Sequence, residues 1–326
     1  MTDFLQLLIA GLATGAIYAL AAIGFTLLWQ TSQTINFAQG EFVMVPAFFA
    51  LIAMKWLGLP VAIALLAAIL MSMLLLGVVF RYAVVGPLLG RGVLPLVIST
   101  LALSVLLKEA AKDFYSAEAQ TFPTLLPDTV IQIAGVAVSL AQLGVLSVAL
   151  VSIALLQWFL AGTRTGRQMQ ATAQNPTVAR ILGVPVERMI LYTFLINAAL
   201  AALASILISP IYLAKFSNGE TLGLIAFVAA IVGGYLSGIA AATKRLSAGM
   251  VHGALLQIVS GAALLGIAEG GSDPVNHAKF GVKILVVIVI MFLAWPRRRA
   301  TSVPSSTYHA IGLLAIANVA IAVFWK

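Results

Sequence analysis

Val61-Ala-Ile-Ala-Leu-Leu-Ala-Ala-Ile-Leu-Met-Ser-Met-Leu-Leu-Leu-Gly-Val-Val-Phe80 runs for twenty residues without a charged side chain. At 1.5 Å rise per residue such a helix is about 30 Å long, the thickness of a bilayer's hydrocarbon core. In lipid no water is available to satisfy exposed backbone polar groups, so the run must be helical. Comparable runs recur along the chain. The sequence predicts spans near 4–28, 37–57, 60–80, 93–111, 141–161, 189–213, 221–241, 248–268, 280–296 and 309–325. The fold class is therefore all-α, a polytopic integral membrane protein with about nine to ten transmembrane helices.

Composition agrees. The 326 residues are 62% hydrophobic and 9% charged, with a mean hydropathy of +1.10. Soluble domains are near a quarter charged, so this chain lacks the polar surface to cover a water-soluble globule. The absence of cysteine excludes disulfides, thiolate metal sites and a cysteine nucleophile. His252, His277 and His309 lack metal-ligand spacing, and no cofactor of the chain's own is expected. The first segment does not read as a cleaved signal, because it carries Asp3 where a basic residue is needed and its apolar run is too long.

A net charge of +8 would suggest nucleic acid in a soluble protein. Here it sets orientation. With the N-terminus outside, Lys244 and all ten arginines fall in the cytoplasm, and the other seven lysines fall outside. Cytoplasmic enrichment of basic residues is the expected sense. The chain is accordingly expected in a bacterial inner (cytoplasmic) membrane, multi-pass, with lipid and not nucleic acid around it.

Two connections are too polar to span. The outer one, 115–140, contains Pro123 and Pro127. Its stretch Ile131-Gln-Ile-Ala-Gly-Val-Ala-Val138 alternates about Gly135, which predicts a β-hairpin. The largest cytoplasmic loop, 162–188, contains Asn175 followed by Pro176, a side-chain cap before a first-turn proline. Gly183 supplies the stop. A short helix Pro176–Leu182 results, with Val178, Ile181 and Leu182 near one face and Arg180 away from it. Such a helix suits either a groove on a motor subunit or the lipid surface, and the pattern alone leaves both open.

A family resemblance bears on that choice. The loop with Ala173-Gln-Asn-Pro176 and Ala179-Arg-Ile-Leu-Gly-Val184 resembles the coupling loop of branched-chain amino acid ABC permeases. Gly15-Ala-Ile-Tyr-Ala-Leu-Ala-Ala-Ile-Gly-Phe-Thr26 and Ile35-Asn-Phe-Ala-Gln-Gly-Glu-Phe42 are similar to the first of that family's two paralogous membrane subunits. The likeness covers about residues 5–235. It implies a second homologous permease subunit, two cytoplasmic ATPase subunits that use ATP and Mg, and a periplasmic or extracellular solute-binding protein. It also implies ATPase coupling through Asn175, Pro176, Val178, Arg180, Ile181, Leu182 and Gly183. The family includes importers of urea, short amides and organic acids, so the solute stays open. Agreement fades after Gly233-Gly234, where Tyr235-Leu-Ser-Gly238 replaces the usual turn and proline. Residues 1–300 read as the permease domain, and 301–326 as a cytoplasmic linker plus an additional span bracketed by Tyr308 and Trp325, aromatic residues of the kind found at membrane interfaces. An interfacial helix is the alternative for that tail.

The segment from Asn36 to Glu41 carries its own physical signal. Asn36 reads as an N-cap, with Gln39 reaching back as in a capping box, and Gly40 allows close approach. A helix start aims free N–H groups at a carboxylate or carbonyl. Glu41, entering an apolar run, should face a cavity or a partner, unless it sits shallow and merely stabilises its helix N-terminus. Phe37-Ala-Gln-Gly-Glu41 returns 179 residues later as Phe216-Ser-Asn-Gly-Glu220. This fits an inverted repeat with broken helices, and equally two ordinary helix caps. The solute-path candidates are Asn36, Phe37, Gln39, Gly40, Glu41, Ser99, Thr100, Asn197 and Tyr212, with Ser209 beside them. Hydroxyls also pack helices in lipid, so structural roles stay open. Gly11, Gly15 and Gly24, with Gly233, Gly234 and Gly238, are expected at close helix contacts.

An ion-coupled secondary transporter would need several embedded acids, and Glu41 alone is plausible. An intramembrane enzyme lacks a nucleophile or acid dyad. No phosphate loop exists, since Gly238 to Lys244 lacks the second glycine and is followed by Arg245. ATP must act through a partner.

Overall fold

The computed structural model describes residues 2–32, 36–88, 91, 93–124, 126–127, 129–133, 136–239, 277–297, 300 and 302–324. The elements are α1 (Thr2–Ser32), α2 (Gln39–Lys55), α3 (Val61–Leu88), α4 (Val93–Phe114), β1 (Val130–Ile133), β2 (Val136–Ser139), α5 (Leu140–Gly162), α6 (Arg164–Gln174), α7 (Pro176–Ile181), α8 (Val186–Tyr212), α9 (Asn218–Ile239), α10 (His277–Ala294) and α11 (Ser305–Phe324). Six helices among the described residues are long and apolar enough to cross a membrane: α1, α3, α4, α5, α8 and α9. The predicted span 248–268 lies outside the described residues. The chain divides into two compact units, Met1–Ala226 and Phe227–Lys326.

In the first unit α8 is the central helix. Two-thirds of its apolar window is buried, against 6% for α5. It packs on α1, α2, α3 and α6. Burying one apolar helix against another in lipid gains little from the hydrophobic effect, so close packing must hold them. Ala198, Ala201, Ala202, Ala204 and Ser205 supply it; all are fully buried. Pro46 interrupts the backbone ladder inside α2, and the next residue, Ala47, donates its N–H to Ser205 Oγ at 3.0 Å. A side chain of the neighbouring helix thus satisfies backbone at a proline.

The span 37–57 differs from its prediction. α2 has 17 residues, about 25 Å. Its start abuts the middle of α1 and α8, not their ends, as the contacts below establish. α3 also departs from a simple α-helix. From Met73 to Val85 it is a π-helix, far longer than the single-turn bulges in which this wider form usually occurs. β1 and β2 pair antiparallel, with Ile131 opposite Val138 and Ile133 opposite Val136, where the sequence alternates.

In the second unit α10 and α11 pack together with the end of α9. Tyr308 is fully buried, where the sequence suggested an interface anchor. Its hydroxyl donates to the Tyr235 carbonyl at 2.7 Å, and the Tyr235 hydroxyl meets His309 Nδ1 at 3.1 Å. Gly238 lies against the Tyr308 ring and Gly312 against Tyr235, where a Cβ would overlap the rings. Each aromatic ring is accommodated by a glycine, Tyr308 by Gly238 and Tyr235 by Gly312. Trp325 lies outside the described residues.

Candidate functional site

The site grows from the Asn36–Glu41 segment. Asn36 Oδ1 accepts from Ala38 N at 3.0 Å, a side-chain turn typical of asparagine. The N-cap of α2 is Ala38, without a side-chain cap bond. The anticipated capping box does not form, because Gln39 is committed elsewhere. Its Nε2 donates to Asn197 Oδ1 at 3.0 Å, and Asn197 Nδ2 donates to Gln39 Oε1 at 3.1 Å. Asn36 Nδ2 reaches Gln39 Oε1 at 3.5 Å, and Gln39 Nε2 reaches the Ala21 carbonyl at 3.4 Å. All three amides are buried. Gly24 makes room for them, since a Cβ there would come within 2.5 Å of Asn197 Oδ1.

This network fixes depth. Asn197 lies eleven residues into α8, about 16 Å from that end. α2 therefore starts against the middle of α1 and α8, inside the helix bundle. Glu41 follows in the first turn and is only 2% exposed, so it lies inside the helix bundle and not on its surface.

The two halves of the Phe-x-x-Gly-Glu repeat meet. A Cβ on Gly40 would overlap the Gly219 carbonyl oxygen, and one on Gly219 would stand 2.9 Å from Glu41 Oε1. Gly223 lies against Gly40 as well. The starts of α2 and α9 thus cross backbone to backbone, and only glycine leaves the space. Ser104 and Lys108, one turn apart on α4, lie within reach of the Glu41 carboxylate. Lys108 forms an ion pair with Glu220, both partly exposed. The cluster holds two acids and one base.

Other predicted residues fall elsewhere. Phe37 is half-buried beside Asn36. Thr100 is buried and returns its hydroxyl to the Val97 carbonyl at 3.0 Å; Ser99 beside it is half-buried. Ser209 bonds the Ser205 carbonyl at 2.7 Å. Tyr212 is 53% exposed and lies within hydrogen-bonding reach of Tyr18. Of the glycines, Gly24 and Gly238 sit at close contacts, whereas Gly11, Gly15 and Gly233 face nothing within 4 Å. Ser104, Lys108 and Glu220 went unrecognised as site residues. The i, i+4 spacing of Ser104 and Lys108, and the acid ending the repeat, were the available signals.

The cytoplasmic-loop helix is α7. Asn175 Oδ1 accepts from Thr177 N and Val178 N, each at 3.1 Å, and Gly183 ends it with φ +79°. The helix stops at Ile181, with Leu182 as its C-cap. Val178, Ile181 and Leu182 are exposed, the last two by 80% and 75%, while Ala179 is buried against the core. Arg180 turns back toward Glu187.

The family described as "Branched-chain amino acid transport system / permease component" matches residues 7–295. A high-affinity branched-chain amino acid transport system permease protein of Pseudomonas aeruginosa, BraD, is 31% identical over 304 residues, covering 87% of this chain and 93% of the relative. LivH of Escherichia coli, of the same description, is 26% identical over 88% of this chain and 94% of its own length. A probable LivH of Methanocaldococcus jannaschii is 25% identical over 84% and 86%. No solved structure matches. With six long apolar helices among the described residues and a family match over nearly all of its length, the chain belongs to the permease component family of branched-chain amino acid transport systems.

Proposed function

We propose that the chain works as one of two membrane subunits of an ATP-driven importer in the bacterial cytoplasmic membrane, with its N-terminus outside. Its cargo is a branched-chain or related amino acid. The relatives named above carry that description. A second homologous permease subunit, two cytoplasmic ATPases using ATP and Mg, and an external solute-binding protein complete it.

The observation that carries the reading is α7. A capped helix too short to be stable alone presents Val178, Ile181 and Leu182 to solvent. In a protein whose apolar surface otherwise belongs in lipid, these side chains suit a cleft on an ATPase. Asn175, Pro176 and Gly183 set the ends of this helix, and Arg180 links it to Glu187.

The solute passes the crossing of α2 and α9. Asn36, Gln39 and Asn197 hold the start of α2 in place, and Gly40 brings α9 against it. Glu41, Glu220, Lys108 and Ser104 then offer a zwitterion both signs of charge. The excess acid suits an ammonium, and Lys108 suits a carboxylate.

The test is ATP-dependent leucine uptake into vesicles holding the permease pair, the ATPases and the binding protein. Ile181→Asp is expected to abolish uptake while the ATPases still hydrolyse ATP. Uptake unaffected by Ile181→Asp overturns the docking assignment.

A further inference from the structure

Glu187 is the first acidic residue of α8 and holds two arginines at once. Its Oε2 accepts from Arg81 Nη2 at 2.6 Å, and its Oε1 lies 3.5 Å from Arg180 Nη2. Arg180 belongs to α7. Arg81 belongs to the π-helical stretch of α3 and is only 6% exposed. One carboxylate therefore joins the cytoplasmic helix, the central helix and the π-helix.

The chain of contacts continues inward. Phe80, beside Arg81, is buried and meets the Phe42 ring edge-on at 5.0 Å and the Phe194 ring at 5.7 Å. Phe42 follows Glu41 in the first turn of α2. The route from the exposed Ile181 and Leu182 to the buried start of α2 thus needs few side chains: Arg180, Glu187, Arg81, Phe80 and Phe42.

We propose that Glu187 is the joint through which movement of α7 reaches the helix crossing at Glu41. Glu187 is a positioning residue and touches no solute. The Glu187 side chain is 67% exposed, so water screens the pair and it adds little as a stabiliser. Its geometry is what matters. Two guanidiniums share the two oxygens of one carboxylate, one closely and one at a longer distance. Displacing α7 changes the Arg180 contact and leaves Arg81 to follow. The π-helical stretch is the place to take up that shift, because the form is rare and recurs at functional sites within α-helices. Phe80 then carries it to Phe42. Coupling over such a distance requires a contiguous set of contacts biasing an element with two arrangements, and the π-helical stretch is the element here.

The inference rests on α7 being the ATPase contact, and the experiment keeps the two separable. In the complete transporter, solute moved per ATP hydrolysed is measured for Glu187→Gln, Arg180→Gln, both together, Glu187→Asp and Ile181→Asp. Each single amide variant is expected to lower the ratio at least fivefold. The double variant should fall no further than the worse single, because both act through one contact. Glu187→Asp should restore part of the loss. Arg180→Gln leaves the Arg81 pair intact, so it reports even if Glu187→Gln fails to assemble. A ratio within twofold of the parent in Arg180→Gln, or in an assembled Glu187→Gln, overturns the joint. So do single losses that multiply in the double. Normal coupling in Ile181→Asp overturns the docking assignment and the joint with it, whereas uncoupling by Ile181→Asp alone overturns only the joint.

Discussion

Replacing Gly40 by alanine tests whether the crossing of α2 and α9 is as tight as it looks. The added methyl would overlap the carbonyl oxygen of Gly219 and stand 3.0 Å from Gly223 N. Both obstacles are backbone, so no side chain can swing aside. The helices must separate, and on the order of 1 Å is needed to restore normal contact. Overpacking of this kind costs about 1–3 kcal/mol, and a backbone obstacle places Gly40→Ala toward the upper end. Since 1.4 kcal/mol is tenfold, the folded-to-unfolded ratio should drop roughly 5- to 150-fold. Gly219→Ala should cost less, because its nearest obstacle is Glu41 Oε1 at 2.9 Å, the end of a side chain, although Glu41 N follows at 3.1 Å. Gly15→Ala is the control. No atom lies within 4 Å of its Cβ position, so alanine should stabilise by about 0.5–1 kcal/mol through helix propensity. Denaturant titration of the purified subunit in mixed micelles gives all three values. The argument fails if Gly40→Ala lies within about 0.3 kcal/mol of the parent, or if Gly40→Ala and Gly15→Ala move in the same direction.

Asn197→Leu removes both direct bonds to Gln39 and leaves its amide buried, so a loss of about 1–3 kcal/mol is expected in the same titration. Gln39→Leu with Asn197→Leu should cost less than the two single losses added together. Tyr308→Phe should lower stability by about 0.5–1.5 kcal/mol through the lost bond to the Tyr235 carbonyl, read as a lower midpoint of thermal unfolding. Gly183→Ala forces a side chain onto φ +79° and should cost about 1–2 kcal/mol locally, seen as faster proteolysis of the 162–188 loop. Single cysteines in this cysteine-free chain should react with an impermeant reagent from outside at Glu118 and only after permeabilisation at Gln174; the opposite pattern reverses the orientation.

Much of the architecture was legible because lipid enforces simple rules. A run such as Val61–Phe80 can only be a helix, and Asn175-Pro176 with Gly183 fixed the ends of α7 to within a residue. What could not be read was depth. Composition marks where an apolar run begins, but the level at which α2 starts is set by Gln39 bonding to Asn197, 158 residues away. No local pattern encodes that distance. Tyr308 failed for a related reason. Its burial depends on Gly238, 70 residues earlier on another helix, leaving space for the ring, whereas an aromatic residue near a span end suggests an interface by itself. The π-helical stretch of α3 has no sequence signature either, since apart from Arg81 and Tyr82 its residues are those of any apolar span.

Depth also decides what the embedded polar residues can do. At the membrane edge, Asn36, Gln39 and Asn197 could each turn to water or solute. Inside the bundle they close on one another, and any rotation that frees one leaves another amide unpaired in an apolar surround, at about 1–3 kcal/mol. Such a network is suited to holding the start of α2 at one depth while the rest of the unit moves. Glu41 is different. It projects from the same turn but meets Ser104 and the Lys108–Glu220 pair, whose members remain partly exposed. Phe42, one residue further, carries the aromatic contact to Phe80 and the π-helix. Three consecutive functions therefore sit within a single turn of α2: Gln39 fixes, Gly40 permits the crossing, and Glu41 with Phe42 faces the charges on one side and the Arg81–Glu187 joint on the other. A displacement arriving at Phe42 would act on Glu41 directly, because the amide network prevents the turn from absorbing it.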